Sequence, residues 1–405
     1  MKTTRAAAVF GMIERGHFQR LLPVIAGLAQ AGLRTHVFTD RRYRDEVESV
    51  GGLFVDLFAA HPLEAADAAS LPIPCRYVSF AGHYADDVTA EAQALRPSLV
   101  VNDGFAVIGA VVARQLRLPR VNVCVGHNLA PAPTLERLRH DPRVAVSAAC
   151  WRAVQVLRER HQMPDASPFS YVTDLSPQLN LYCEPPQFLR EDERRAFEPL
   201  AFFGSLSTQT IDRPASTPSV FAPAPAGARR IYISFGTVVW RYYQAAARAA
   251  LEAISVAVSA MPDATALVSL GGTPAPWAAD LARPNVRVES YVDQWNALRE
   301  ASVFITHHGL NSTHEAIYQG VPMVSYPFFG DQPGLARRCQ ELGLALPLVP
   351  GLRAPVSPTD VAAVLARVAA ERPALQARLA QARAWELEAI AARGQVIQRI
   401  LDLPP

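Results

Sequence analysis

The sequence predicts an α/β protein made of two Rossmann-like domains, each around its own parallel sheet. Three observations carry that reading. A chain of 405 residues exceeds one typical domain of ~150 residues. Short apolar runs alternate with amphipathic stretches, the pattern of strands joined by crossover helices. A Pro-rich break interrupts this alternation near the middle, and the same alternation then starts again.

In the first half, AAAVFGMI (6–13), THVFT (35–39), GLFVDLF (52–58), SLVVND (98–103) and RVNVCV (120–125) read as buried strands. RLLPVIAGLAQAGL (20–33) and GAVVARQLRL (109–118) have the apolar spacing of helices between them. The segment 207–230 is rich in Pro, Ser, Thr and Ala, the composition of an extended connection. Beyond it RIYISF (230–235), TALVSL (265–270), VRVES (286–290), VFIT (303–306), PMVSY (322–326) and LALPLV (344–349) form a second set of strands. RAALEAISVAVSAM (248–261) is a helix within that set, and 372–401 is rich in helix formers. The expected division is a first domain over 1–210, a connection over 211–229 and a second domain over 230–385. A terminal helix over 386–405 is expected to return toward the first domain and pack across the two.

Composition excludes several classes. Half the residues are hydrophobic and 19% are charged, which suits a globular chain rather than a disordered or coiled one. A net charge of +2 with scattered arginines offers no footprint for nucleic acid. The basic, apolar start is broken at Glu14 and Arg15, too early for a secretory leader. No charge-free run is long enough to span a membrane. Five separated cysteines without a C-x-x-C pair point to a reduced, cytoplasmic setting. Lys2 is the only lysine, which removes lysine Schiff-base chemistry.

Ligands of open α/β sheets collect at the carboxyl ends of the strands, so the loops there are the place to look for chemistry. Gly11-x4-Gly16 has P-loop glycine spacing, but His17 and Phe18 replace the Lys and Ser/Thr that the chemistry needs. No G-x-G-x-x-G follows a strand, which argues against a dinucleotide-dependent dehydrogenase. What remains is His17 at the mouth of the first strand, just before a helix. Alone it is as compatible with capping or packing as with catalysis. Asp103 closes SLVVND at the same sheet edge, where a carboxylate would hold one tautomer of His17 and stabilise its protonated form. The two form a candidate general base and partner, with His127 in VGHN as a competitor.

The segment ITHHGLNSTHEAIYQG (305–320) gathers His307, His308, His314 and Glu315. Adjacent strand residues point to opposite faces and His314 lies almost a turn into a helix, so these side chains are not expected to converge on a metal. The expected geometry is a turn over Gly309–Ser312 followed by a helix whose Ser312-x-x-Glu315 forms a capping box. A helix amino terminus suits an anion such as a diphosphate. Asn311 and Ser312 are placed to donate to it and His307 to reach it from the strand end.

The stretch 291–332, with His307-x-Gly309-x-Asn311-Ser312-Thr313-x-Glu315, Gly320-Val321-Pro322, Pro327 and Asp331-Gln332, resembles the nucleotide-sugar signature of family 1 glycosyltransferases. ISFGT (233–237), GHFQRLLP (16–23) and VVND (100–103) are similar to other segments of that family, so the resemblance spans most of the chain. It implies a GT-B architecture of two facing domains, an acceptor-binding first domain and a donor-binding second, and metal-independent, inverting chemistry without a cofactor. By the same resemblance His17 is the base and Asp103 its partner. Tyr291 stacks on the nucleobase with Gln294 nearby. Thr237, His307, Asn311 and Ser312 hold the diphosphate, Glu315 the ribose, and Asp331 and Gln332 the sugar. Ser234 and Gly309 complete the donor set. Tyr291 stands where plant members usually carry Trp, and it keeps a flat stacking face. His308 and Leu310 replace their usual Cys and Trp.

The expected reaction moves a sugar from a nucleotide-diphosphate donor to a hydroxyl of a small hydrophobic or aromatic natural product. UDP-glucose is favoured as the donor because Asp331-Gln332 suits a fully hydroxylated hexose, and a dTDP-sugar stays open. Candidate acceptor residues are His61, Tyr77, Phe80, His83, Tyr84, His127 and Trp151, in loops around 61–84 and 122–169. The alternatives are a GT-B epimerase acting on the nucleotide sugar and a non-catalytic nucleotide-sugar-binding partner of another transferase. The expected partners are small molecules only, with neither nucleic acid nor membrane, and the chain is expected as monomer or homodimer.

Overall fold

The computed structural model describes residues 5–214, 219–223 and 227–404. Residues 1–4, part of the basic start, and 215–218 and 224–226, part of the expected connection, lie outside the described residues. The chain divides into two units, Met1–Thr208 with Glu388–Pro405, and Gln209–Leu387. Each has its own parallel sheet.

The first unit contains β1 (Ala6–Phe10), β2 (Arg34–Thr39), β3 (Leu53–Asp56), β4 (Leu99–Asp103), β5 (Arg120–Cys124), β6 (Leu179–Tyr182) and β7 (Leu200–Phe202). They pair in the order β3-β2-β1-β4-β5-β6-β7, all parallel. Every residue of β1 is buried. That explains its uninterrupted AAAVF, because a parallel sheet covered on both faces has no solvent side to alternate toward. The chain builds outward from β1 through β2 to β3, then returns to place β4 on the other side of β1. This makes the β1/β4 boundary a topological switch point, where a crevice opens at the strand ends.

The second unit contains β8 (Arg229–Ser234), β9 (Ala264–Ser269), β10 (Val286–Glu289), β11 (Val303–Thr306), β12 (Met323–Ser325) and β13 (Ala345–Pro347), ordered β10-β9-β8-β11-β12-β13. Its switch point lies between β8 and β11. There Ser234 pairs with Thr306, so the two strands end level.

Three local expectations change. β6 and β7 add two strands absent from the sequence reading, because both are short and surrounded by turns and single-turn helices. GLFVDLF leaves the strand at Asp56, and Leu57–Ala60 turns helical. The supposed acceptor loops are largely helical, with helices Cys75–Ala94, Pro131–His140 and Ala148–Arg160. Cys75, Val78, Ala81, Ala85, Val88 and Ala92 recur on one buried face, the spacing of a helix. Gly82 permits this helix to pack closely on helix Ala148–Arg160, since a Cβ there would sit 2.5 Å from the Ala153 carbonyl oxygen.

The long helix Pro358–Ala391 carries the chain from the second unit into the first, where helix Arg393–Leu401 docks. Ile397 fills the space over Gly27 of helix Arg15–Gln30. Arg393 Nε donates to the Phe203 carbonyl at 2.7 Å and Arg399 to that of Leu200 at 2.8 Å.

Candidate functional site

At the second switch point the chain turns more sharply than the sequence suggests. His308 takes a left-handed φ of 59°, and Gly309 is the N-cap of helix Leu310–Gln319. The left-handed conformation costs a non-glycine residue roughly 1–2 kcal/mol. Here buried hydrogen bonds offset it: His308 Nδ1 lies 3.2 Å from Thr313 Oγ1 and Nε2 lies 2.8 Å from Ser325 Oγ. Because the reversal is completed at one residue, the helix starts before Ser312, which becomes its third residue. The expected capping box is therefore not made: Gly309 is the cap and no side chain caps the helix. The first ladder bond runs from Thr313 N to Gly309 O at 3.0 Å, so the amides of Leu310 and Ser312 lie ahead of the ladder, at the positive end of the helix.

Gln294 organises the side chains there. Its Nε2 donates to Ser312 Oγ at 3.1 Å and to Glu315 Oε2 at 2.7 Å, joining helix Gln294–Glu300 to helix Leu310–Gln319. Gly236, in the turn after β8, has a φ of 72°. A Cβ on Gly236 or on Gly309 would lie 2.5 Å from His307 Nε2, so these two glycines make the slot that holds the imidazole. Burial pushes the His307 pKa down to about 4, against a smaller opposing effect of the Ser234 backbone. His307 is therefore neutral at pH 7 and can serve an anion only as an N–H donor. Ser234 is buried, and its Oγ accepts from Gly236 N at 3.3 Å. Thr237 is exposed in the same turn, and Asn311 is half-buried. Tyr291 is 70% exposed, presenting a free aromatic face.

The three histidines separate. His307 sits against the two glycines, His308 bonds into the core, and His314 Nδ1 lies 3.2 Å from Glu386 Oε2, both side chains buried. Among the described residues no group of three or more His, Cys, Asp or Glu side chains is arranged to hold a metal ion.

At the first switch point His17 is the third residue of helix Arg15–Gln30, which Glu14 caps, rather than a residue ahead of it. Its Nδ1 lies 3.1 Å and 3.2 Å from the two Asp103 oxygens. The Asp103 side chain is wholly buried, and that of His17 is 20% exposed. β1 and β4 are neighbours, which is why residues 86 apart in sequence meet. The carboxylate selects the tautomer with a proton on Nδ1, leaving Nε2 as the basic nitrogen.

Three comparisons bear on this arrangement. The family model for UDP-glucoronosyl and UDP-glucosyl transferase matches residues 199–370. NDP-glycosyltransferase YjiC of Bacillus licheniformis is 25% identical over 371 residues, covering 87% of this chain and 89% of its own. The chain is a glycosyltransferase of GT-B fold. The glycosyltransferase is similar in structure to the glycotransferase of kitacinnamycin, with a TM-score of 0.76, 24% identity and complete coverage of both chains. It is also similar to glycosyltransferase VinC, solved in complex with DTDP, with a TM-score of 0.68 and 19% identity over 98% of this chain and 99% of that one. These relatives are transferases acting on nucleotide sugars or sharing their fold, so neither the epimerase nor the silent binding partner is favoured. Among the described residues of the glycosyltransferase no helix is long and apolar enough to cross a membrane.

The remaining candidates are less uniform. Gln332 is buried, and its Oε1 accepts from Phe328 N at 2.9 Å and from Phe329 N at 3.3 Å, so the amide oxygen shapes the 327–331 loop. Asp331 is half-buried at the N-cap of helix Gln332–Glu341. Tyr77 and Phe80 belong to the first unit's core, with at most 1% exposure, and so present little surface to a ligand. The Tyr77 hydroxyl donates to Glu14 and accepts from Arg76 at 2.8 Å. His127 is buried with Nδ1 2.8 Å from Glu184 Oε2, which makes it a structural pair more than an accessible base. His61 Nε2 lies 3.0 Å from Glu91, and the Tyr84 hydroxyl bonds to the Pro62 carbonyl. His83 is exposed and Trp151 is 52% exposed.

Sequence reasoning missed Phe105 and Tyr171. They line a cavity of about 40 Å³ with Gly104, Cys124, Leu129 and Val172, at the ends of β4 and β5. The signal for Phe105 was its place two residues beyond Asp103. For Tyr171 there was none, since only the tertiary fold brings it there.

Proposed function

We propose that the enzyme transfers a sugar, with inversion and without a metal, from a nucleotide-diphosphate donor to a hydroxyl of a small hydrophobic or aromatic natural product. The observation that carries this reading is the His17–Asp103 pair at the switch point of the first sheet. Asp103 holds the Nδ1 proton and Nε2 accepts the proton of the acceptor hydroxyl. The oxygen attacks the anomeric carbon from the face opposite the nucleotide, so an α-linked donor gives a β-glycoside. The diphosphate departs onto the amino terminus of helix Leu310–Gln319, whose partial positive charge does the work a divalent ion would otherwise do.

For the donor, Tyr291 stacks on the base, and Glu315 takes the ribose hydroxyls beside Gln294. Ser234, Thr237, His307, Gly309, Asn311 and Ser312 surround the diphosphate, and Asp331 with Gln332 meets the sugar. UDP-glucose is the favoured donor. The likeness to a structure holding DTDP supports testing thymidine nucleotides equally. His83 and Trp151 are exposed and Tyr84 is half-buried, which leaves surface for an acceptor. His61 and His127 are buried, each paired with a carboxylate. Five free cysteines suit a cytoplasmic enzyme, monomeric or homodimeric.

The test is a thermal-shift and turnover screen of uridine- and thymidine-diphosphate sugars with a panel of phenols and macrolides. The expected result is stabilisation by one nucleotide series and a β-configured glycoside by NMR. Conversion of the donor sugar to its epimer with no acceptor present would overturn the reading.

A further inference from the structure

Asp103 Oδ1 serves two partners. It lies 3.1 Å from His17 Nδ1 and accepts the Phe105 amide at 2.9 Å. That second bond closes a tight turn after β4, in which Ala106 N also bonds to Asp103 O at 2.7 Å. The turn sends the Phe105 side chain back over the imidazole, with ring centroids 3.9 Å apart and planes tilted by 34°. The phenyl ring is itself held: Tyr171 meets it edge-on at 5.3 Å and Tyr77 lies 6.5 Å away. Tyr77 in turn is tied to Glu14, the cap of the helix that carries His17. One aromatic ring therefore links the carboxylate turn, the imidazole and the helix start.

A hydrogen bond at Nδ1 by itself does not fix the tilt of an imidazole ring, and a base misplaced by about 1 Å can lose ~10²-fold in rate. A ring packed on its face removes that freedom. It also stabilises the imidazolium formed when the proton arrives.

We propose that Phe105 is a positioning residue for His17, clamping the imidazole against Asp103 so that Nε2 stays directed at the acceptor hydroxyl. This rests on the reading of His17 as the base. It differs from a role as acceptor wall, which the cavity beside Phe105 would equally permit.

The test uses the full chain labelled with ¹⁵N-histidine, His17 being assigned by the signal lost in His17→Ala. Wild type is expected to show His17 as a single Nδ1–H tautomer. Phe105→Leu, which keeps apolar bulk, is expected to lose that single tautomer to a mixture or exchange broadening, and Phe105→Tyr to retain it. An unchanged His17 signal in Phe105→Leu would overturn the proposal. With the acceptor found by turnover screening, Phe105→Leu is expected to lower kcat by roughly 10–10²-fold at nearly constant KM. A raised acceptor KM at unchanged kcat would instead make Phe105 a binding wall and overturn the proposal. The base reading fails separately if His17→Ala transfers at the wild-type rate.

Discussion

Both switch points use a strand, a tight turn and a helix, but they equip that turn differently. After β1 the helix begins at Arg15 and carries His17, whose chemistry comes from a side-chain pair completed by Asp103 of the neighbouring strand. After β11 the helix begins at Leu310, and most nearby polar side chains are engaged with one another: Gln294 with Ser312 and Glu315, His308 with Thr313 and Ser325. What that turn offers is its backbone. On the proposed reading, the first region is disabled by one atom, whereas the second spreads its work over many weak contacts. A proton-transfer site needs one group at one position, while an anion site needs only an oriented field.

That contrast can be broken by substitution. The largest effect is expected in the first region: His17→Ala should lower kcat for a hydroxyl acceptor by ~10²–10⁴-fold with donor KM unchanged. Asp103→Asn should cost less, because it removes orientation and charge support but leaves the imidazole. Steady-state kinetics decides both, and a rise in donor KM without loss of kcat would erase the distinction between the regions.

A smaller effect is expected at His307. Its pKa falls from 6.5 to about 4 on burial, so between those values the unfolded chain binds more protons than the folded one. Stability contributed by the neutral, buried ring is present above pH 6.5 and lost as the pH falls toward 4. At pH 5 the loss is about 2 kcal/mol. Urea midpoints at pH 7 and pH 5 should show a smaller acid loss in His307→Asn than in wild type, and equal losses would refute the buried neutral imidazole.

The smallest effect is expected at Tyr291, which is 70% exposed. Stacking of this kind is worth about 0.5–1.5 kcal/mol, so Tyr291→Ala should raise donor KM by about two- to tenfold. Its kcat should stay near wild type, and Tyr291→Trp should restore binding. A collapse of kcat would show that the second region, too, depends on single side chains.

Legibility in the sequence followed burial and locality. The strands at the centre of each sheet were readable because a strand covered on both faces is apolar along nearly all its length, as AAAVF and the VFI of VFIT are. LNLY and LAF were not, since at three or four residues among turns they carry too little pattern. Helix Cys75–Ala94 was misjudged as loop because Gly82 and its polar residues obscure a spacing that packing against Ala153 makes plain.

At the site, residue chemistry alone nominated His17, Asp103 and the turn before Ser312. The sequence determined which strand ends carry groups able to accept a proton or hold an anion, because residue type and position along a strand are local properties. The tertiary structure decided the rest. Strand order brought Asp103 to His17, a single left-handed residue moved the helix start from Ser312 to Leu310, and a turn only three residues long laid Phe105 across the imidazole. Strand order and ring-on-ring contact depend on how the whole chain shares one core, and no window of sequence contains that information.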